Sequence, residues 1–499
     1  MELPVPSYVL YTFFLILFMR ILTAIISKKP STAKLPPGPR KLPLIGNIHQ
    51  LLGLPTHQAL RNLSRKYGPL MHLKLGEVSN IVVSSPEMAR EVLRTHDAIL
   101  ANRPGCLLSK IMCYDSTDIV FSQLGAYWRQ LRKICMTELL SAKRVRSYRS
   151  IREEEVSRLV EDISSNEKSV VNLSDKIFSL TYGITGRAAF GKKCKDQEAF
   201  ISVIKETMQL TGKFSIADLY PSSKLLELIS GIGHKFEKLH IKGDRILGDI
   251  IRDHKESKKT VNDESEEDLV HVLLRCQQQN NLEVPLTEQN IRAVIHDIFS
   301  AGSETSSTTM EWAMTEMLKN PYTMSEAQAE VRRVYHRKGY VDEENIEELK
   351  YLNAVIKETL RLRPAAPLLI PRETKEACKI KQYDVPAKTT ILINAWAIGR
   401  DPEYWTEPEK FLPDRFLNSP FDYKGTDYQY IPFGSGRRIC PGIIFGIANI
   451  QLPLANLLYH FDWKLPDGMT HEDLDMTESP GITYRRKDDL FVIPTRYHS

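Results

Sequence analysis

The sequence contains no C-x-x-C pair. Its seven cysteines, Cys106, Cys113, Cys135, Cys194, Cys276, Cys378 and Cys440, are odd in number and widely spaced. That spacing excludes a disulfide framework and a structural zinc motif, and leaves one cysteine free for a special role. No glycine-rich dinucleotide fingerprint follows a strand-like run, so the chain has no nicotinamide or flavin motif of its own. Charge of one sign is scarce: 67 Lys+Arg against 62 Asp+Glu give a formal +5, too little for a nucleic-acid footprint. Internal repeats and long linkers are missing. The one low-complexity stretch, 255–268 (KESKKTVNDESEED), reads as a solvated loop. With 42% hydrophobic and 26% charged residues, the composition is that of a folded chain, neither disordered nor polytopic.

What is present begins with an apolar run at 8–26, YVLYTFFLILFMRILTAII. At ~1.5 Å per residue it nearly spans a hydrocarbon core of ~30 Å. Arg20 lies toward its C-terminal end, where a long side chain can snorkel. Lys28, Lys29, Lys34, Arg40 and Lys41 follow, which places the rest of the chain in the cytosol. A cleaved signal peptide would need a basic stretch before the run and an A-x-A site after it; neither stands there. The prolines of LPPGPR at 35–40 then make a stiff spacer. The expected division is a membrane anchor and basic linker over 1–34 (transmembrane at 8–26) and a single body over 35–499. Apolar residues at helical spacing dominate that body, as in VIKETMQLTGKF, RAVIHDIFSAGSETSSTTMEWAMTEMLKN and YLNAVIKETLRLR. Strand-like runs are LMHLKLG, SNIVVSS, TTILINAWAIG and DLFVIP. The expected class is mainly α with minor β.

The most informative segment is 430–446, YIPFGSGRRICPGIIFG. Phe433, Gly436, Arg438, Cys440 and Gly442 stand in it as F-x-x-G-x-R-x-C-x-G. A thiolate at Cys440 can ligate haem iron. Gly434, Gly436 and Gly442 permit turns that aim backbone N–H groups at the sulfur. Phe433 would exclude water from the sulfur, and Arg438 would pair with an anionic propionate. A helical pattern starts at Ile443, so the cysteine precedes a helix N-terminus whose dipole favours the thiolate.

This segment resembles the cysteine loop of the cytochrome P450 superfamily, and the resemblance runs from Pro36 to the end of the chain. Other motifs of the family stand in order. Glu358 and Arg361 in KETLRLRP match E-x-x-R, and Arg415 in FLPDRF would complete a buried structural Glu–Arg–Arg cluster. Four other pairs share that spacing, Glu87/Arg90, Glu91/Arg94, Glu155/Arg158 and Glu330/Arg333; they read as ordinary surface pairs. Trp128 and Arg132 match W-x-x-x-R, which the family places near a haem propionate, and Arg372 in IPRET sits where related enzymes supply another propionate contact. AGSETS at 301–306 matches the oxygen-activating kink of a long helix. There Gly302 would let the helix open, and Thr305 and Glu304 would stabilise bound oxygen and deliver protons. Glutamate stands where the family more often has aspartate.

The resemblance implies a P450 fold, with haem b held by Cys440 between the long helix and the cysteine loop, after one transmembrane helix. It implies a monooxygenase on the endoplasmic reticulum membrane, single-pass and facing the cytosol. Electrons would come from NADPH through a separate flavoprotein, NADPH-cytochrome P450 reductase, docking on Arg129, Lys133 and Arg437. LANRP, YIPFGSGRRICPG and RRKDDLFVIP are similar to plant A-type microsomal enzymes, terpenoid oxidases among them. That points to a small apolar substrate, a sesqui- or diterpenoid, contacted by Ile298, Ala301, Gly302, Ala366 and Ile370 within stretches 104–120, 208–214, 298–305, 365–370 and 479–483. A phenylpropanoid, alkaloid or amino-acid-derived substrate, or an isomerase that does not activate O2, are the alternatives.

Overall fold

The computed structural model describes residues 34–191, 196–211, 215–256, 267–279 and 282–497. The anchor expected at 8–26, most of the 255–268 loop and the end of the 208–214 stretch lie outside them. The elements that position the site are β1 (Leu70–Leu75), β2 (Val78–Val83), α1 (Ala126–Ile134), α2 (Leu173–Phe190), α3 (Ile232–Glu256), α4 (Leu269–Gln278), α5 (Glu288–Lys319), α6 (Lys350–Leu362), β3 (Arg372–Glu373), β4 (Thr390–Ile393), α7 (Ile443–His460), β5 (Phe461–Lys464) and β6 (Phe491–Arg496). The mainly α, minor β class is thus what the chain adopts.

The central helix is α5. Thr287 and Asn290 start it with reciprocal side-chain-to-backbone caps at 3.2 and 2.9 Å, the box that satisfies orphan N–H donors. The helix is buried nearly all round although its middle is rich in serine and threonine. The hydroxyls make that possible by bonding back to the preceding turn: Ser300 to the His296 carbonyl, Thr305 to Ala301, Thr309 to Thr305 and Thr315 to Glu311. A buried hydroxyl with such a partner avoids the desolvation cost of an orphan. Around α5, Ile177, Leu180 and Ile184 of α2, Leu352, Val355 and Ile356 of α6, and Leu454, Leu457 and Leu458 of α7 close on Met310, Met314 and Met317. Among the described residues, α7 is the one helix long and apolar enough to cross a membrane, and it lies mostly inside this core.

A four-stranded sheet lies to one side in the order β1-β2-β4-β3. Of its contacts only β2 with β4 is parallel, Ile81 facing Ile391. β5 and β6 pair antiparallel. All four strand-like runs become strands, with one shortened. TTILINAWAIG is strand only to Ile393, because the Asn394 side chain accepts the Ala397 N–H at 3.0 Å and starts a helical turn.

The E-x-x-R pairs sort differently from expectation. Glu155–Arg158 is the surface pair it was read as, at 2.6 Å. Glu87 instead pairs with Lys381, and Glu91 with His96. Glu330 is buried and accepts the Tyr351 and Leu352 N–H groups at 2.8 and 2.9 Å. It thereby neutralises the start of α6, where a negative charge is favoured.

Candidate active site

The cysteine loop is a product of local glycine geometry. Gly434 and Gly436 sit at φ +72° and +71°, the left-handed region that side chains disfavour. At Gly436 a Cβ would stand 2.4 Å from the Leu93 carbonyl oxygen and 2.8 Å from Asp97 Oδ1, so no other residue fits. After a single 3-10 turn the chain brings the Cys440 N–H onto the Phe433 carbonyl at 3.0 Å. The Gly442 N–H donates to Cys440 Sγ at 3.3 Å, and α7 begins one residue later. Phe433 is half-buried and edge-on to Tyr423 at 5.5 Å. Burial pushes the Cys440 thiol above its usual range, opposed by the Gly442 N–H and the Arg132 cation. Desolvation disfavours the anion more strongly than these favour it. The start of α7 favours the thiolate against this burial cost, and a metal cation on the sulfur would displace the proton.

This loop meets α5 through Phe445, in the first turn of α7. A Cβ on Gly302 would lie 3.1 Å from the Phe445 ring. The expected opening of the helix at Gly302 is not seen: α5 runs on unbroken, and the missing side chain serves close packing instead. On the same stretch Ala301 is exposed and Thr305 partly so, while residues 306–317 are buried. These two, four apart, share one face. Thr305 donates to the Ala301 carbonyl at 2.7 Å. Glu304 cannot share that face, because consecutive residues point ~100° apart on a helix. Its buried carboxylate accepts the Tyr182 hydroxyl and the Thr483 hydroxyl, each at 3.3 Å. Burial raises its pKa, and the Arg485 cation pulls it back. Ile298 is buried on the preceding turn, and Ala366 and Ile370 are half-buried. Leu369 reaches within 3.7 Å of where a Gly434 Cβ would stand, which puts the 366–370 stretch beside the cysteine loop.

A cluster of guanidinium groups forms a third wall. Trp128 is buried on α1 and donates its indole N–H to the Ile119 carbonyl at 3.1 Å. Arg438 lies 4.2 Å over the Trp128 ring and Arg132 5.7 Å from it. Arg438 also donates to the Ala101, Ile119 and Ser122 carbonyls. Arg372 holds Asp97 and the Ser435 carbonyl, both at 2.7 Å. Sequence reasoning missed Arg103 and Asp97. Arg103, inside the LANRP run, is fully buried and donates to the Val120, Ile370 and Pro371 carbonyls. Asp97 also accepts the Arg437 N–H at 3.0 Å. Burial and the neighbouring cations hold Arg103 well below the usual guanidinium value, and bring Arg438 down to about 10. The Ile119 carbonyl that Trp128 and Arg438 share is fixed by Asp297 of α5, which accepts the Ile119 and Val120 N–H groups.

The donor set fits haem. Four guanidinium groups crowd one wall, and among the described residues half-buried Arg132 has no carboxylate partner. Such a surplus of buried cations calls for an anionic ligand, and haem b carries two propionates. The thiol at Cys440 supplies the axial ligand type of haem-thiolate enzymes.

Behind this site, Glu358 and Arg361 are completely buried and joined at 2.7 and 2.8 Å. Arg415 reaches Glu358 at 3.1 Å. Arg361 also donates to the Gly399, Pro408 and Lys410 carbonyls. The three motif residues are therefore one network, and it pins the chain that leads into the cysteine loop.

The family model described as Cytochrome P450 matches residues 36–491. Tabersonine 16-hydroxylase 1 of Catharanthus roseus is 54% identical over 99% of this chain and 98% of its own. Premnaspirodiene oxygenase of Hyoscyamus muticus is 51% identical over 97% of each. Among solved structures, a zebra fish cytochrome P450 determined with abiraterone superposes with a TM-score of 0.76 at 25% identity. That match covers 90% of this chain and all of the other. With the cysteine loop, the α5 stretch and the Glu–Arg–Arg network brought together around one site, these matches establish that the chain belongs to the cytochrome P450 family.

Proposed function

We propose that this P450 monooxygenase inserts one oxygen atom into a small apolar plant metabolite, a sesqui- or diterpenoid, with electrons delivered from NADPH by a separate membrane flavoprotein. The observation that carries the reading is the meeting of Cys440, the Ala301–Thr305 face and the guanidinium wall at one place. Haem held there supplies the activation of O2. Cys440 would ligate its iron, with the Gly442 N–H tuning the sulfur. Arg132, Arg372 and Arg438 would hold its propionates, and Trp128 and Phe433 would exclude water. Ile298, Ala301, Gly302, Ala366 and Ile370 offer the substrate apolar surface. A hydrocarbon gains there by leaving water and has no polar group to satisfy.

Thr305 and Glu304 divide the proton work. The Thr305 hydroxyl faces the open side of α5 and would exchange its Ala301 partner for a water that carries a proton into the site. Glu304, on a neighbouring face, is oriented by the Tyr182 and Thr483 hydroxyls to relay protons through water. Thr305→Ala is expected to lower product formed per NADPH by ~10²-fold or more, the scale of a lost acid–base contribution. NADPH oxidation continues and reappears as hydrogen peroxide, with haem content unchanged. Normal product yield would show that the hydroxyl only serves the helix.

Exposed Arg129, Lys133 and Arg437 form the basic face suited to an acidic redox partner. An apolar face supports the membrane assignment. Leu225, Leu228 and Ile229 are exposed, and Tyr220 ties their segment to the Leu44 carbonyl, beside exposed Leu42 and Ile45 near the start of the described chain.

Premnaspirodiene oxygenase and the tabersonine hydroxylase resemble this chain almost equally, so the terpenoid class rests on the apolar site residues. Co-expression with a plant reductase and a panel of sesqui- and diterpene synthases tests it by mass spectrometry. A new oxygenated terpene is expected. Turnover of an alkaloid, a phenolic or an amino-acid derivative, with terpenes untouched, would overturn the substrate class and leave the monooxygenase in place.

A further inference from the structure

A second cluster of metal-ligating side chains lies outside the haem site, where α3 ends and α4 begins. We propose that His254, Asp268 and His271 form a Zn²⁺ site joining these two helices. Their ligand atoms all lie within 4.8 Å of one another. His254 Nε2 is 3.0 Å from Asp268 Oδ2, and His271 Nδ1 is 2.9 Å from Asp268 Oδ1. The two imidazoles thus flank opposite oxygens of one buried carboxylate, with ring centroids 4.7 Å apart.

The hydrogen bonding around the cluster is compatible with a metal ion. His254 Nδ1 lies 2.7 Å from the Ile250 carbonyl oxygen. That oxygen can only accept, so Nδ1 carries a proton and Nε2 is the atom that faces Asp268. An outer carbonyl that fixes the tautomer in this way is the usual support of a metal-bound histidine. A lone pair facing a carboxylate repels it unless a cation stands between them. That cation is either a proton on Nε2 or a metal ion. Asp268 is itself held in place. It accepts the His271 N–H at 2.9 Å, and it packs on Gly191, where a Cβ would stand 2.8 Å from Oδ2.

Two nitrogens and one oxygen are the ligand types Zn²⁺ takes, with water as the fourth. The three ligand atoms lie within 4.8 Å of one another, and tetrahedral ligands at ~2.0–2.1 Å from zinc sit ~3.3 Å apart, so the side chains close on one ion by shifts of up to ~1.5 Å. Glu267 next door is already occupied by Arg144 and Arg275 and does not compete. On binding, Zn²⁺ takes the place of the proton on His254 Nε2, and that proton goes to solvent.

The test uses the full-length, haem-loaded protein in detergent, titrated with ZnCl2 and assayed for bound zinc after equilibrium dialysis. One tight zinc per chain is expected. X-ray absorption should show nitrogen and oxygen ligands only, two of them imidazole. His271→Ala and His254→Gln should each weaken that zinc by more than ~10²-fold, the most that loss of an outer partner costs. Their haem content should stay that of the unaltered chain. Asp268→Asn should do the same; because Asp268 also caps α4, the histidine variants decide if it fails to fold. Zinc binding unchanged in both histidine variants, sulfur in the zinc shell, or no retained zinc at micromolar concentrations would each overturn the proposal.

Discussion

Cys440→Ser abolishes the red-shifted carbon monoxide band of the reduced enzyme and takes product formation below detection. The serine is nearly the same size, so the Gly434 and Gly436 turns and the Phe433 carbonyl contact survive. What changes is the ligand. A hydroxyl in the same buried place is a far weaker acid than a thiol, and it lacks the sulfur electron density that drives O–O cleavage. Difference spectra of the full-length protein in membranes check this, with total haem measured on the same sample. A full-strength band in the variant would move the ligand to another cysteine, with Cys378 and Cys276 the next to replace.

Glu358→Gln leaves almost no correctly folded protein. Glu358 accepts two contacts from Arg361, one from Arg415 and the Leu412 N–H at 2.7 Å. The amide keeps the shape but removes the charge, so completely buried Arg361 loses its one carboxylate partner among the described residues. Breaking a buried pair on one side typically costs ~3–5 kcal/mol, against a total stability of ~5–15 kcal/mol for a native domain. Expression should collapse, and the residual protein should unfold at a lower temperature and lose haem. Glu358→Asp, which keeps the charge, should recover part of the loss. Full stability of the glutamine variant would show that the three backbone carbonyls on Arg361 suffice without the carboxylate.

The sequence by itself determined the class of the protein and much of its site. Phe433, Gly436, Arg438, Cys440 and Gly442 are contiguous, so their motif depends on local turn geometry that a sequence can show. Trp128 with Arg132, and Glu358 with Arg361, are pairs within one helix, visible for the same reason. The strands were legible because short runs rich in β-branched residues at 78–83 and 390–393 favour extended chain.

The tertiary structure decided what depends on residues distant in the chain. Glu330 and Glu358 share one spacing, yet one caps α6 and the other anchors Arg361 and Arg415; only what packs against them separates the two. Gly302 serves the Phe445 ring rather than a break in the helix, because α7 comes to rest there. Glu304 turns to Tyr182 and Thr483, which are 122 and 179 residues away. Arg103 and Asp97 joined the site unannounced, since a buried charge is recognisable only by its partners. His254 precedes the low-complexity stretch and Asp268 is its last residue, so in the sequence the carboxylate reads as solvated. Folding places them with His271, because burial charges a high cost for every polar group left unpaired, and that cost depends on the whole fold.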